Sequence, residues 1–243
     1  MVFGKGSPRI MTVGKKAARS VVPKRRPDTG GYARGVEQRA RIIVVALKVF
    51  GEEGYERATT RRIAQAAGIQ PPALQYYFGS KEGLHRACAE FVVEKSLAVI
   101  SGPLSAARAV APDCTPETAL DVLCVLIDAL FDGSLFKRDA PERAVFSARA
   151  QTETTPGGTW IREQISDPLH DTCARLVARV TDSPCDDIAR LRTSLIIGQL
   201  SNFRQYRDVA LARLGWDDFD ESRRATVKAW LRMHTRAALG FPT

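Results

Sequence analysis

Histidine and cysteine, frequent in catalytic and metal sites, are few and scattered in this chain of 243 residues. His85, His170 and His234 form no HExxH-type pair and stand beside no Ser or Cys nucleophile motif. Cys88, Cys114, Cys124, Cys173 and Cys185 are odd in number and contain no CxxC spacing, which points to neither a disulfide framework nor a zinc site. Thiols so placed suit the helices of a cytosolic protein; Cys173 and Cys185 are the candidates for a redox sensor. No run approaches the roughly 20 apolar residues of a membrane helix. No apolar block follows the basic N-terminus, as a signal peptide requires. Strand-like alternation and internal repeats are missing from Val36 onward. These absences lead to the expectation of a cytoplasmic protein that is not an enzyme and needs no metal, cofactor or membrane.

What the chain does have is positive charge, unevenly placed. The net charge is +9. Residues 1–34 carry nine Lys or Arg against the single acid Asp28, whereas residues 101–243 are close to neutral. With Gly, Pro and Ser and little apolar periodicity, residues 1–34 read as a disordered arm attracted to polyanions.

Helical periodicity then takes over. Ile42, Val45, Ala46, Val49 and Phe50 make one apolar stripe over Val36 to Glu53, stopped at Gly54. Thr59 or Thr60 caps a short helix to Ala67, broken by Gly68. Pro71 is expected at the next cap and Pro72 at the first helical position of a helix to Phe78. Ser80 caps a long helix from Lys81 to about Ile100, ended by Gly102 and Pro103. Further helices are expected over about 115–131, 140–152 (Asp139 and Glu142 as a capping box), 157–181, 184–213 and 221–239. The fold class is all-α. Its parts are a helix-turn-helix domain over 35–84 and a helical domain over 85–243.

Helix, glycine turn and short second helix form the geometry by which a protein reads DNA. A reader needs a small exposed helix with donors for base edges, and further donors for phosphates. On the second short helix, Ala73, Gln75, Tyr76 and Tyr77 are not needed for the core. Arg61 can reach a guanine edge or a phosphate, Thr59 and Thr60 lie at a helix N-terminus, and Lys81 can pin the backbone. Phe78 reads as core.

The stretch RATTRRIAQAAGIQPPALQYYFGSKEGL (Arg57 to Leu84), preceded by ALKVFGEEGY (Ala46 to Tyr55), resembles the TetR-family DNA-binding domain. The resemblance implies base contacts from Arg61, Gln70, Pro71 and Ala73. It implies backbone contacts from Thr60, Gln75, Tyr76, Tyr77 and Lys81. Two departures stand out: Gln70 where many relatives have Ser, and Gln75 where many have Tyr. The operator of a relative therefore does not transfer.

A second stretch, IIGQLSNFRQYRDVALARLGW (Ile196 to Trp216), resembles the C-terminal domain of the CecR-like subgroup of that family. It implies a domain that binds a small-molecule effector and forms a homodimer. Phe131, Phe136, Phe146, Trp160, His170, Gln199, Asn202 and Phe203 are candidates for lining the pocket. Ile188, Leu191 and Leu195, with Val227, Trp230, Leu231 and His234, are candidates for the dimer seam or the core. The reading that results is a ligand-responsive repressor on a palindromic double-stranded operator. A constitutive DNA-binding protein without a ligand and an enzyme built on a helical bundle are the alternatives.

Overall fold

The computed structural model describes residues 29–135, 141–200, 203 and 206–241, and among these there is no strand. The helices are α1 (Thr29–Glu53), α2 (Thr60–Ala67), α3 (Pro71–Phe78), α4 (Lys81–Ala109), α5 (Pro116–Leu135), α6 (Pro141–Thr152) and α7 (Pro156–Ile161). After α7 come a π-helical turn (Arg162–Ser166), α8 (Asp167–Val180), α9 (Asp187–Gly198), α10 (Arg207–Leu214) and α11 (Glu221–Ala238). No described helix is long and apolar enough to cross a membrane.

Two apolar cores are joined by α4. The first gathers Ile42, Ala46, Leu47 and Phe50 of α1 with Ile63, Leu74 and the first half of α4. Phe146 and Ala150 of α6 and Ile161 of α7 complete it, so the C-terminal half supplies part of this core. The second core packs the far half of α4 against α5, α8, α9 and α11. A boundary at residue 84 therefore cuts through a continuous helix: α4 belongs to both halves.

Several helix ends fall where side-chain chemistry puts them. Thr59, Ser80 and Asp220 accept hydrogen bonds from Arg62, Gly83 and Arg223 backbone N–H groups and cap α2, α4 and α11. Others differ from expectation. Residues 29–34, expected in the arm, already belong to α1; residues 1–28, Phe136, Asp139 and Asn202 lie outside the described residues. Gln70, not Pro71, is the cap of α3, and both prolines are helical. The pre-proline rule acts on Gln70 as well, and two missing N–H groups cost little in a first turn.

The helix α4 does not stop at Pro103 but runs to Ala109, and the expected connector shrinks accordingly. An interior proline costs about 3 kcal/mol. Burial of Leu104 and Ala107, with Val110 packed behind them, offsets it at about 1.5–3 kcal/mol per large aliphatic side chain. The helix ends where Ala111 precedes Pro112.

The expected helix over 157–181 contains the π turn. There the Asp167 N–H bonds to the Arg162 carbonyl, and this extra residue accommodates Pro168, which has no N–H to give. The expected helix over 184–213 is two helices: α9 starts at its cap Asp186 and ends at Gly198, and α10 begins at Arg207.

Candidate nucleic-acid interface

The turn between α2 and α3 is fixed by backbone geometry. Gly68 adopts a left-handed φ of 65°, the Ile69 N–H bonds to the Ala64 carbonyl at 3.0 Å, and the Gly68 N–H to that of Gln65 at 3.1 Å. This double closure ends α2 and turns Ile69 back toward the core. Arg41 of α1 donates to the Ala67 carbonyl at 3.4 Å, placing a cation on the C-terminus of α2. Gly83 is required at the other end: a Cβ there would lie 2.2 Å from the Phe78 carbonyl oxygen. That contact sets how closely α3 and α4 approach.

On this frame the predicted reading residues separate by exposure. Arg61, Gln70, Pro71, Gln75 and Tyr76 are exposed, and Tyr76 reaches 86%. Thr60 and Ala73 are half-buried. The prolines remove two N–H groups from the start of α3 and leave fewer backbone donors for a phosphate there. Thr59 is exposed, with its oxygen held by the Arg62 N–H at 3.1 Å; its hydroxyl hydrogen stays available to a phosphate.

Tyr77 is half-buried against the first core, edge-on to Tyr76 at 5.4 Å between ring centroids. Phe78, under the Arg39 guanidinium at 5.2 Å, packs with the core as expected. Lys81 also turns inward: its Nζ donates to the Glu56 carbonyl at 3.1 Å and lies 4.5 Å from the centre of the Tyr55 ring. It braces the α1–α2 turn against α4 and keeps two N–H donors for other partners. Arg62 pairs with Glu53 at 3.3 Å.

Sequence reading missed the junction that ties this head to α6 and α7. Arg149 of α6 donates through Nε to the Gly51 carbonyl at 2.9 Å and pairs with Glu153 at 3.1 Å. Glu153 accepts from the Tyr55 N–H at 3.3 Å. Beside this clamp, His85 is buried among the rings of Phe50, Tyr55 and Phe146, at 4.7, 4.7 and 5.0 Å between centroids. The Gly157 N–H of α7 donates to His85 Nδ1 at 3.2 Å, so the proton sits on Nε2. Burial holds the imidazole well below its ordinary range, at about 4; Lys81 adds to this and Glu153 opposes it. A Cβ on Gly157 would stand 2.5 Å from that same nitrogen. The Pro156-Gly157-Gly158 run was the one available signal of such a close approach.

The candidate pocket residues are not gathered in one place. Phe131 and Phe203 meet edge-on at 5.8 Å in the second core. Phe146 belongs to the junction, and Trp160 stacks under Arg86 at 3.7 Å beside the first core. His170 shares a hydrogen bond with Ser194 at 3.1 Å between α8 and α9. Gln199 donates to Thr235 at 3.3 Å. Of the seam candidates, Val227 and Leu231 face their own core, whereas Ile188, Leu191, Leu195 and Trp230 are more than half exposed. All five cysteines are free thiols; Cys173 is buried, and burial pushes it up to about 12, whereas Cys185 is exposed.

Known proteins match both parts of the chain. Residues 42–88 match the bacterial regulatory proteins of the tetR family, and residues 122–240 match the C-terminal domain of the HTH-type transcriptional dual regulator CecR. The CecR regulator of Shigella flexneri is 30% identical over 203 residues, 83% of this chain and 91% of that protein. The class C tetracycline repressor of Escherichia coli is 43% identical over 53 residues, 22% of this chain and 24% of its own. A tetR-family regulator from Rhodococcus RHA1 shares the fold with a TM-score of 0.57 at 19% identity, over 85% of this chain and 99% of its own. AibR, solved in complex with isovaleryl coenzyme A and operator DNA, has a TM-score of 0.57 at 13% identity, over 81% and 97%.

Proposed function

The chain belongs to the TetR family of DNA-binding transcriptional regulators, and from that premise we propose that it is a ligand-responsive repressor acting as a homodimer on a two-fold symmetric operator. The observation that carries this reading is the pairing of an exposed head with a locked junction. The side chains of Arg61, Gln70, Gln75 and Tyr76 are exposed and accessible to DNA. Around them the turns are braced, so the backbone that carries each donor is set before DNA arrives.

The junction gives a small molecule a way to act. The clamp of Arg149 and Glu153 and the bond from Gly157 to His85 couple α6 and α7 to α1 and α4. A ligand that favours another placement of α6 or α7 favours another placement of the head, and two heads on one duplex must keep their spacing. AibR, on the same fold, was solved with a ligand and operator DNA, so a chain of this fold can take up both. The exposed apolar residues of α9 and Trp230 of α11 supply the seam between copies.

The test is binding to an operator selected by the protein itself. Arg61→Ala removes a base contact worth about 1–3 kcal/mol, about fivefold or more in affinity, and Tyr76→Ala removes a backbone contact and weakens operator and random DNA alike. Both side chains are exposed, so thermal unfolding should not change. Unaltered affinity in both variants would refute the assignment.

A further inference from the structure

A cavity of about 350 Å³ lies at the end of the molecule's second core, between the C-terminal end of α4 with its connector and the last turns of α8. That volume falls in the range of small-molecule sites. Its walls include Ala107, Val110, Leu176 and Ala178, and it shares no residue with the pocket candidates of the sequence reading. Of the five cysteines, the two that are not buried, Cys114 and Cys185, both line it.

Two arginines one helical turn apart face the same space. Arg179 is engaged: its Nε donates to the Cys114 carbonyl and its Nη1 pairs with Asp182 at 3.4 Å, pinning α8 to the α4–α5 connector. Arg175 has no ion pair or hydrogen bond among the described residues, although it lines the cavity. Asp182 also lines the space and offsets the charge of Arg179, which leaves Arg175 as the cation for an anionic ligand. A guanidinium presents parallel N–H donors that match a carboxylate.

We propose that this cavity binds a small organic acid, with its carboxylate on Arg175 and its apolar body between Val110 and Leu176. The proposal rests on the effector reading above and gives it a site and a ligand class. Its route to DNA is α4, whose far end forms one wall of the cavity and whose first two turns carry Lys81 and His85.

The experiment uses the full chain and four acids (hexanoate, octanoate, decanoate and phenylacetate), each beside its neutral amide and the corresponding alkyl phosphate. Binding is read by calorimetry, and occupancy by alkylation of Cys114 and Cys185 with iodoacetamide. At least one acid should bind, should slow alkylation of both thiols several-fold, and should bind about tenfold or more tightly than its amide. Arg175→Ala should bring the acid down to the level of the amide; Arg175 is exposed, so the variant folds. Leu176→Ala, which leaves the arginine in place, should weaken long acids more than hexanoate. No Arg175-dependent binding, equal binding of the amide, tighter binding of the phosphate, or unprotected thiols would overturn the proposal. An acid that releases operator equally from wild type and Arg175→Ala would overturn the site while upholding the effector reading. Arg175-dependent binding without any change in operator affinity would uphold the site and refute the effector reading.

Discussion

Acid should unlock the junction through His85. Its imidazole is neutral because burial among Phe50, Tyr55 and Phe146 disfavours the charged form, and Nδ1 accepts the Gly157 N–H. A pKa of about 4 in the folded chain against 6.5 in the unfolded one means that the unfolded chain binds the proton first. The stability this group contributes is complete above pH 6.5, is lost as pH falls from 6.5 toward 4, and changes no further below. At about 1.4 kcal/mol per pH unit the full gap is worth about 3.5 kcal/mol, and about 2.5 kcal/mol of it is gone at pH 4.5. For a chain of this length that corresponds to about 5–10 °C in Tm. Carboxylates titrate in the same window, so the comparison needs His85→Phe, which keeps an aromatic ring in the cage but cannot take the proton. Between pH 7 and pH 4.5 the wild type should lose about 5–10 °C more than the variant. The ring protons of His85 should also stay at their neutral NMR shifts until below pH 5. A ring that titrates near 6.5, or equal losses in both proteins, would refute the reasoning.

Two further predictions concern assembly and the basic arm. Leu195→Asp places a charge on an apolar residue that is 68% exposed in one copy; sedimentation should shift toward monomer with helicity unchanged, and an unaltered dimer would remove α9 from the seam. Deleting residues 1–28, which hold eight Lys or Arg, should weaken operator and random DNA alike and flatten the dependence of log affinity on log salt, because fewer counterions are released. Equal slopes would show the arm to be inert, and selective loss of operator binding would show that it reads sequence.

The reading head was legible in the sequence because its determinants are local. The left-handed glycine after α2, the Thr59 and Ser80 caps, and the spacing of Ile63, Ala64 and Ala67 all act within a few residues. The junction was not. Arg149 reaches Gly51 across 98 positions and Gly157 reaches His85 across 72, and no pattern along the chain announces such pairs. Lys81 shows a related limit: its place after Ser80 suits a phosphate contact, but only packing reveals the carbonyl and the ring that hold it.

Helix length failed for a different reason. Gly102 and Pro103 are strong local stop signals, yet the core beyond them outweighs them and α4 continues. The aromatic candidates for a pocket failed because a buried ring has the same sequence signature in either core. Phe131 and Phe146 are equally buried and belong to different ones.

The central claim is that α2 and α3 of two copies read one symmetric duplex site. Selection of bound sites from random duplex DNA with the purified full chain tests it most directly. The account predicts an enriched inverted repeat whose half-sites are spaced by about one helical turn or a multiple of it. The same selection with Arg61→Ala and Gln70→Ala combined should lose enrichment at particular base positions. Enrichment of short asymmetric sites alone, or of the same repeat by the doubly substituted protein, would contradict it.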